Sequence, residues 1–438
     1  MKKVGLKEIN RLAGPAIIAG IAEPLISLID TAFIGKLGTQ ELAAVGIASS
    51  FYLMLIWVLA QTKSAISAIV SRYYGKGKLD EIYSLVPQAM LANVILGLLL
   101  VAVTYPFASP IFEMYHAKGE VLDYAISYYH IRAWGYPITL STFILFGVFR
   151  GVQNTSWAMQ ISLIGALVNI VADYILIFGF GPIQALGVDG AAFGSLLAQL
   201  VMLALAIIYL HRKTVYRIHW AGKIHKDLKW LFGMSIDFYI RTISLNLAFY
   251  QSTRMAAALG DAVVAAHTIA INIWLFSAFF IDGYANAANA LSGRLFGERN
   301  FVALKNMSKT ILKISIGIGL ILGLIYLIAY SKIVLFFTND PVVIEYFLSV
   351  FWIVIIMQPI NAVAFAYDGI YKGLGEAKAL RNTLLISTFF VYFPMVLLSD
   401  YLGWAFVGIW ISILAWMLSR GGFLAILFRG WLKKHMGK

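Results

Sequence analysis

The chain has 438 residues, of which 61% are hydrophobic and 13% charged, against roughly 45–50% and about 25% in a soluble domain. An apolar excess of that size cannot be hidden inside a water-soluble globule, and at about 20 residues per membrane span the length is bounded at about twelve spans with no room for a sizeable soluble domain. Net charge is +13 and cysteine is absent, so disulfides, thiolate metal sites and cysteine nucleophiles are excluded, and nucleic-acid binding is excluded too if the basic residues are spread along one side of a membrane.

Apolar stretches bounded by Gly, Pro or charge clusters fall at residues 10–36, 42–71, 84–109, 119–148, 155–180, 188–211, 227–257, 262–295, 302–330, 341–370, 379–400 and 402–428. The first follows Lys2 and Lys3 as a signal peptide would, but Pro15, Glu23 and Pro24 interrupt it, so it reads as a retained helix. Glu23 and Asp30 are two helical turns apart and share one face, and Pro24 between them removes a backbone donor, as Pro15 does earlier, so that the helix can bend. In the fourth stretch Tyr128, Tyr129, Trp134 and Tyr136 can offer ring faces to a cationic ligand, although most aromatic residues in such a chain are interfacial anchors. Asn169 and Asp173, four apart, put an amide beside an acid on the fifth helix.

Past the long basic loop from His211 to Lys229, the seventh stretch carries Asp237 and Arg241 at a spacing that suits a structural ion pair on one helix face. Asp282 sits in a run of small residues from Gly283 to Ala290, which favours close helix packing and could equally line a cavity. Asp368 precedes Gly369 near the cytoplasmic end of its span, where it either lines a cavity or bridges the basic loop that follows. His130 and His267 stand without a second metal ligand at useful spacing, so they are expected to make hydrogen bonds, and no metal or other cofactor is expected. Six of the 21 carboxylates thus fall inside spans: Glu23, Asp30, Asp173, Asp237, Asp282 and Asp368. An ionised Asp at the bilayer centre costs at least about 2.5–3.5 kcal/mol, so each needs a partner, a proton or water.

The 34 Lys and Arg are sorted by side. Only Lys36, Lys118, Arg254 and Lys332 lie in one set of loops and Lys63, Arg132 and Arg241 within spans; the termini and the alternate loops hold the rest. Positive charge marks the cytoplasmic side, which places both termini inside and makes the span count even. The halves also resemble each other: Leu37-Gly38 recurs as Leu259-Gly260, Arg72 and Gly75 as Arg294 and Gly297, and Arg150-Gly151 as Lys372-Gly373, all at an offset of 222 residues. The expected architecture is an all-α integral membrane protein of twelve helices in two lobes related by a pseudo-two-fold axis along the membrane normal. Residues 1–211 form the N-lobe, 212–229 a cytoplasmic connection and 230–438 the C-lobe. The same offset carries Asp30 to Ser252, Asn169 to Val391 and Asp173 to Met395, so the first-half acids have no counterparts in the second.

Asp30-Thr31-Ala32-Phe33-Ile34-Gly35 followed by Leu37-Gly38, with Val263-Val264-Ala265-Ala266-His267, resembles the multidrug and toxic compound extrusion (MATE) family. Asp282-Gly283-Tyr284-Ala285, Asp368-Gly369 and Arg381-Asn382 resemble its DinF-type branch. The resemblance implies an antiporter of a prokaryotic inner membrane that acts as a monomer and exports organic, often cationic or amphipathic, compounds in exchange for protons, with sodium as the alternative coupling ion. It implies a coupling site at Asp30, Asn169 and Asp173 with Glu23 nearby, helix bending at Pro15 or Pro24, and Tyr128, Asp282, Asp368 and Asn361 as candidate cavity residues. Leu245 and Asn361 stand where the NorM branch carries a glutamate and an aspartate, which removes a NorM-like C-lobe sodium site, and Ala191 stands where some relatives carry a threonine near the N-lobe site. A lipid-linked precursor flippase is the second transport reading, set back because it needs a cationic cavity and only three cations lie within spans. An intramembrane hydrolase lacks a nucleophile and base at workable spacing, and a purely structural or signalling role leaves six buried acids unexplained.

Overall fold

The computed structural model describes residues 4–218 and 223–437, with the side chains of 22–28 outside the description. Helices dominate: α1 (Leu6–Ile34), α2 (Thr39–Leu59), α3 (Thr62–Gly75), α4 (Leu85–Thr104), the short α5 (Ala108–Met114), α6 (Glu120–Ala133), α7 (Gly135–Gly151), α8 (Ser156–Phe178), α9 (Gly187–Lys213), α10 (Leu228–Ala258), α11 (Asp261–Gly297), α12 (Phe301–Ile328), α13 (Pro341–Leu374), α14 (Ala377–Ile386), α15 (Phe393–Tyr401) and α16 (Ala405–Met436). Counting α2–α3, α6–α7 and α14–α15 as continuous rods gives the twelve spans of a multi-pass membrane protein. Among the described residues, nine of the rods are long and apolar enough to cross a bilayer by length and composition, and α1, α6–α7 and α10 complete the set.

The breaks have local causes. α6 and α7 meet at Trp134, just before Gly135 and Pro137, where the missing proline N–H interrupts the ladder. Between α14 and α15 six residues, Ser387–Tyr392, take a π turn immediately ahead of Pro394. α13 ends on Gly375 in the left-handed conformation (φ 76°), a position that a Cβ would strain.

Helix pairs come together through small residues, as expected where lipid supplies no hydrophobic drive between helices. A Cβ on Gly319 of α12 would lie 2.7 Å from the Gln358 carbonyl and 2.8 Å from Pro359 Cα, so α12 rests directly on α13 at its internal proline. Cβ atoms on Gly369 and Gly373 of α13 would lie 2.2 Å from the carbonyl oxygens of Ala285 and Asn289, which brings α11 and α13 backbone to backbone.

The chain packs as two compact units, Ile18–Ser235 and Met1–Ile17 with Ile236–Lys438. In the first, an aromatic core from α2, α5, α6 and α7 gathers Tyr52, Phe112, Tyr129 and Tyr136, and the strap after α9 lies against the helix ends: Tyr73 Oη donates to Asp227 Oδ2 (2.7 Å) and Gln88 Nε2 to the Lys223 carbonyl (2.7 Å). In the second, Trp274, Trp410, Trp416 and Phe351 anchor the core. The sequence placed all of residues 1–211 in the first lobe, but packing assigns Met1–Ile17 to the second unit. There Tyr284 Oη donates to Asn10 Oδ1 (3.1 Å), and Arg294 binds Glu8 at 2.5 Å. α1 remains helical through Pro15, and the division falls two residues beyond it.

Candidate functional site

Helices α1, α2, α6, α8 and α9 of the first unit assemble a polar centre around Asp173. Asp173 is fully buried, and neither of its carboxylate oxygens has a hydrogen-bond partner among the described residues. The close approach of α9 creates this seat: a Cβ on Gly194 would fall 2.0 Å from Asp173 Oδ1 and 3.1 Å from its backbone nitrogen. Asp30 of α1 is half-buried, and its carboxyl stands beside that of Asp173, in direct electrostatic reach of it. Asn169, one turn before Asp173, is buried next to it, and its amide nitrogen makes no hydrogen bond.

Among the described residues, one cation faces the two acids. Arg132 of α6 lies with its guanidinium 4.3 Å from the centre of the Tyr52 ring and in electrostatic reach of Asp30 and Asp173. It has no ion-pair partner within 4 Å among the described residues, and its Nε and one Nη are unbonded. Tyr128, one turn earlier, is buried beside it and accepts from Ser49 Oγ (3.2 Å). Behind them Tyr52 stacks on Tyr136 at 4.6 Å, receives a hydrogen bond from Gln199 Nε2 (3.2 Å), and Tyr136 Oη lies 3.1 Å from Tyr129 Oη. The rings fix the plane over which Arg132 sits, so its charge is held in place without being neutralised.

With one proton on the acid pair, the charges of Arg132 and the remaining carboxylate cancel. With none, the centre carries one net negative charge. Gly194→Ala is therefore expected to force α8 and α9 apart, lower stability by about 1–3 kcal/mol and displace Asp173. Thermal unfolding checks it against Gly233→Ala, where a Cβ meets nothing within 4 Å and no loss is expected.

A second polar centre lies wholly in the other unit. Asp368 of α13 is buried and held by Arg241 of α10 (2.5 Å), Lys372 of α13 (3.0 Å) and Arg420 of α16 (3.2 Å). Asp282 of α11 is exposed, accepts from Asn286 Nδ2 (3.2 Å) and acts electrostatically on Lys372 and Arg420. The pair expected between Asp237 and Arg241 does not form: Asp237 binds Arg381 of α14, and Arg241 turns to Asp368. A partner on a neighbouring helix meets the charge head-on, whereas a side chain one turn away must bend along the helix surface to reach it.

The sequence-derived candidates thus divide. Asp30, Asn169, Asp173 and Tyr128 come together in one unit, and Asp282 and Asp368 in the other. Asn361 lies two turns before Asp368 on α13, buried, with both amide atoms unbonded among the described residues. Glu23 and Pro24 fall outside the described side chains. His130 bonds the Tyr105 carbonyl at 3.1 Å, as expected of it. His267 does not: its ring packs against Trp410 (5.5 Å) and neither nitrogen has a partner among the described residues. Leu245 borders the aromatic core, and Ala191 is buried without offering a polar atom. Sequence reading missed Arg132 as a member of the first centre; the signal was a lone intramembrane arginine one turn after Tyr128. It also missed Arg420, which was counted with the basic residues of the termini and cytoplasmic loops, whereas it lies buried within α16 and contacts Asp368.

A twelve-helix membrane fold with unneutralised acids buried in its interior defines a membrane transporter. The MatE profile matches residues 15–175 and again 239–398, and the chain belongs to the MatE family. The two matches repeat at close to the offset read from the sequence. Among curated relatives, Protein DETOXIFICATION 44, chloroplastic, of Arabidopsis thaliana is 27% identical over 95% of this chain and 81% of its own. DNA damage-inducible protein F of Escherichia coli (strain K12) is 25% identical over 97% and 92%, and the probable multidrug resistance protein NorM of Acinetobacter baylyi 24% over 89% and 88%. A solved MATE structure in the bent conformation matches with a TM-score of 0.91 at 24% identity, covering 99% of this chain and 97% of that one. Its relatives are transporters rather than enzymes.

Proposed function

We propose that the protein is a secondary active exporter that moves organic compounds, often cationic, out of a prokaryotic cell across its inner membrane in exchange for protons. The observation that carries this reading is the juxtaposition of Asp30 and Asp173 opposite a single, fixed Arg132. One proton more or less switches the centre between neutral and negative. In the deprotonated state the negative centre favours an organic cation, and Tyr128 beside it can add an aromatic contact. A proton from outside neutralises the pair, the cation loses its counter-charge, and it leaves. Exchange follows because substrate and proton favour different states of one site. α1 carries Asp30 and is one continuous helix whose residues up to Ile17 belong to the other packing unit. The multidrug resistance name of the NorM relative supports a broad organic substrate class, and the sorting of Lys and Arg supports cytoplasmic termini.

The test is efflux of a fluorescent organic cation such as ethidium from vesicles under a pH gradient alone and a sodium gradient alone. The pH gradient is expected to drive efflux by itself. Efflux driven only by sodium would replace the proton with sodium as the coupling ion, and efflux indifferent to both would end the exchange reading.

A further inference from the structure

The second unit holds more positive charge than a structural ion pair requires. Three cations, Arg241, Lys372 and Arg420, converge on the one carboxylate of Asp368, with side chains 6%, 16% and 3% exposed. Asp282 is the other acid in electrostatic reach of Lys372 and Arg420. Arg381 takes no part because Asp237 neutralises it. The five groups leave one positive charge in excess, in a place where an uncompensated charge is costly. The donors are incompletely filled as well. Arg241 Nε is buried with no partner among the described residues, and Arg420 Nη1 has the weak acceptor Met417 Sδ at 3.9 Å, its guanidinium lying over the Phe365 ring.

We infer that this cluster is a binding site for one monovalent oxyanion group, a carboxylate or phosphate, carried by a soluble solute or a lipid headgroup. A clamp between helices would be complete with one cation, or two, on Asp368; the third supplies the charge and the guanidinium donors that recognise a planar or tetrahedral oxyanion. Asp282 is exposed and Lys372 is the least buried of the three cations, so their side of the cluster is its open edge. The close contact of α11 and α13 at Gly369 and Gly373 fixes that edge, because it holds Asp282 and Lys372 on adjoining backbones. Asp282 limits the excess to a single charge, which selects a monovalent group over a multiply charged one. The flippase reading was set back for want of intramembrane cations; Arg420 and Lys372 supply them, in a unit separate from the acid pair.

The site goes beyond proton exchange and does not rest on it, because binding is read in detergent without any gradient. Full-length protein is titrated calorimetrically with butyrate, with inorganic phosphate in its monoanionic form at mildly acidic pH, and with phosphatidylglycerol in mixed micelles. Saturable binding of at least one is expected, weakened at least tenfold in Arg420→Gln and in Lys372→Gln. Each variant leaves Asp368 with two cations, so if one fails to fold the other carries the comparison. Butyrate or phosphate alone identifies a soluble anion, and phosphatidylglycerol alone a lipid headgroup; either supports the site. Absence of saturable binding by all three, or binding unchanged in the folded variants, overturns it.

Discussion

Asp173→Asn is expected to abolish most pH-gradient-driven efflux, by about 10- to 100-fold, the range set by typical coupling free energies, while the protein stays folded and its melting temperature is unchanged or raised. Both parts follow from the same geometry. Asp173 is wholly buried and its oxygens accept no hydrogen bond among the described residues, so an amide of the same shape removes no interaction that holds helices together. It does remove the ability of the pair to lose its last proton. Asp30 then faces Arg132 with no neighbouring acid, and the centre can no longer alternate between neutral and negative. Efflux in reconstituted vesicles and thermal unfolding of the same preparation measure the two halves of the expectation. A collapse of stability equal to the loss of transport would assign Asp173 a structural role.

The same change at the other acid is expected to act in the opposite sense. Asp368→Asn leaves Arg241, Lys372 and Arg420 with no carboxylate in contact, and breaking a buried charge pair in this way costs about 3–5 kcal/mol. That is a large part of the stability of an ordinary domain, so the variant is expected to melt far below the parent or to fail to fold. Adding Arg241→Gln removes one of the stranded charges and should recover part of the loss, which a double-mutant cycle on melting temperature measures. Full additivity of the two substitutions would mean that the 2.5 Å contact contributes nothing.

The twelve spans were legible because membrane helices announce themselves by long apolar runs between charge and glycine or proline, and the repeat because matched residues sit at one offset in both halves. The acid pair was legible for a related reason: in lipid, a carboxylate is rare enough to count. Partnerships between helices were not. The spacing of Asp237 and Arg241 describes one helix, but their partners, Arg381 and Asp368, come from other helices, whose placement depends on packing at residues such as Gly369 and Gly373. Arg420 was misplaced because a cation near the end of a span counts as a cytoplasmic charge by sequence, whereas burial against Asp368 lets it sit in mid-helix. The same limit hid Arg132, whose role depends on the face of Tyr52, supplied by another helix.

The central claim is that substrate and proton compete for one buried centre, and by reciprocity a bound cation must expel a proton. It is tested most directly by adding ethidium to the detergent-purified protein in weakly buffered solution at neutral pH and recording the protons released. About one proton per bound ethidium is expected from the parent, and none from the Asp30→Asn, Asp173→Asn double variant. Undiminished release from the double variant, or binding to the parent with no release, would contradict the account.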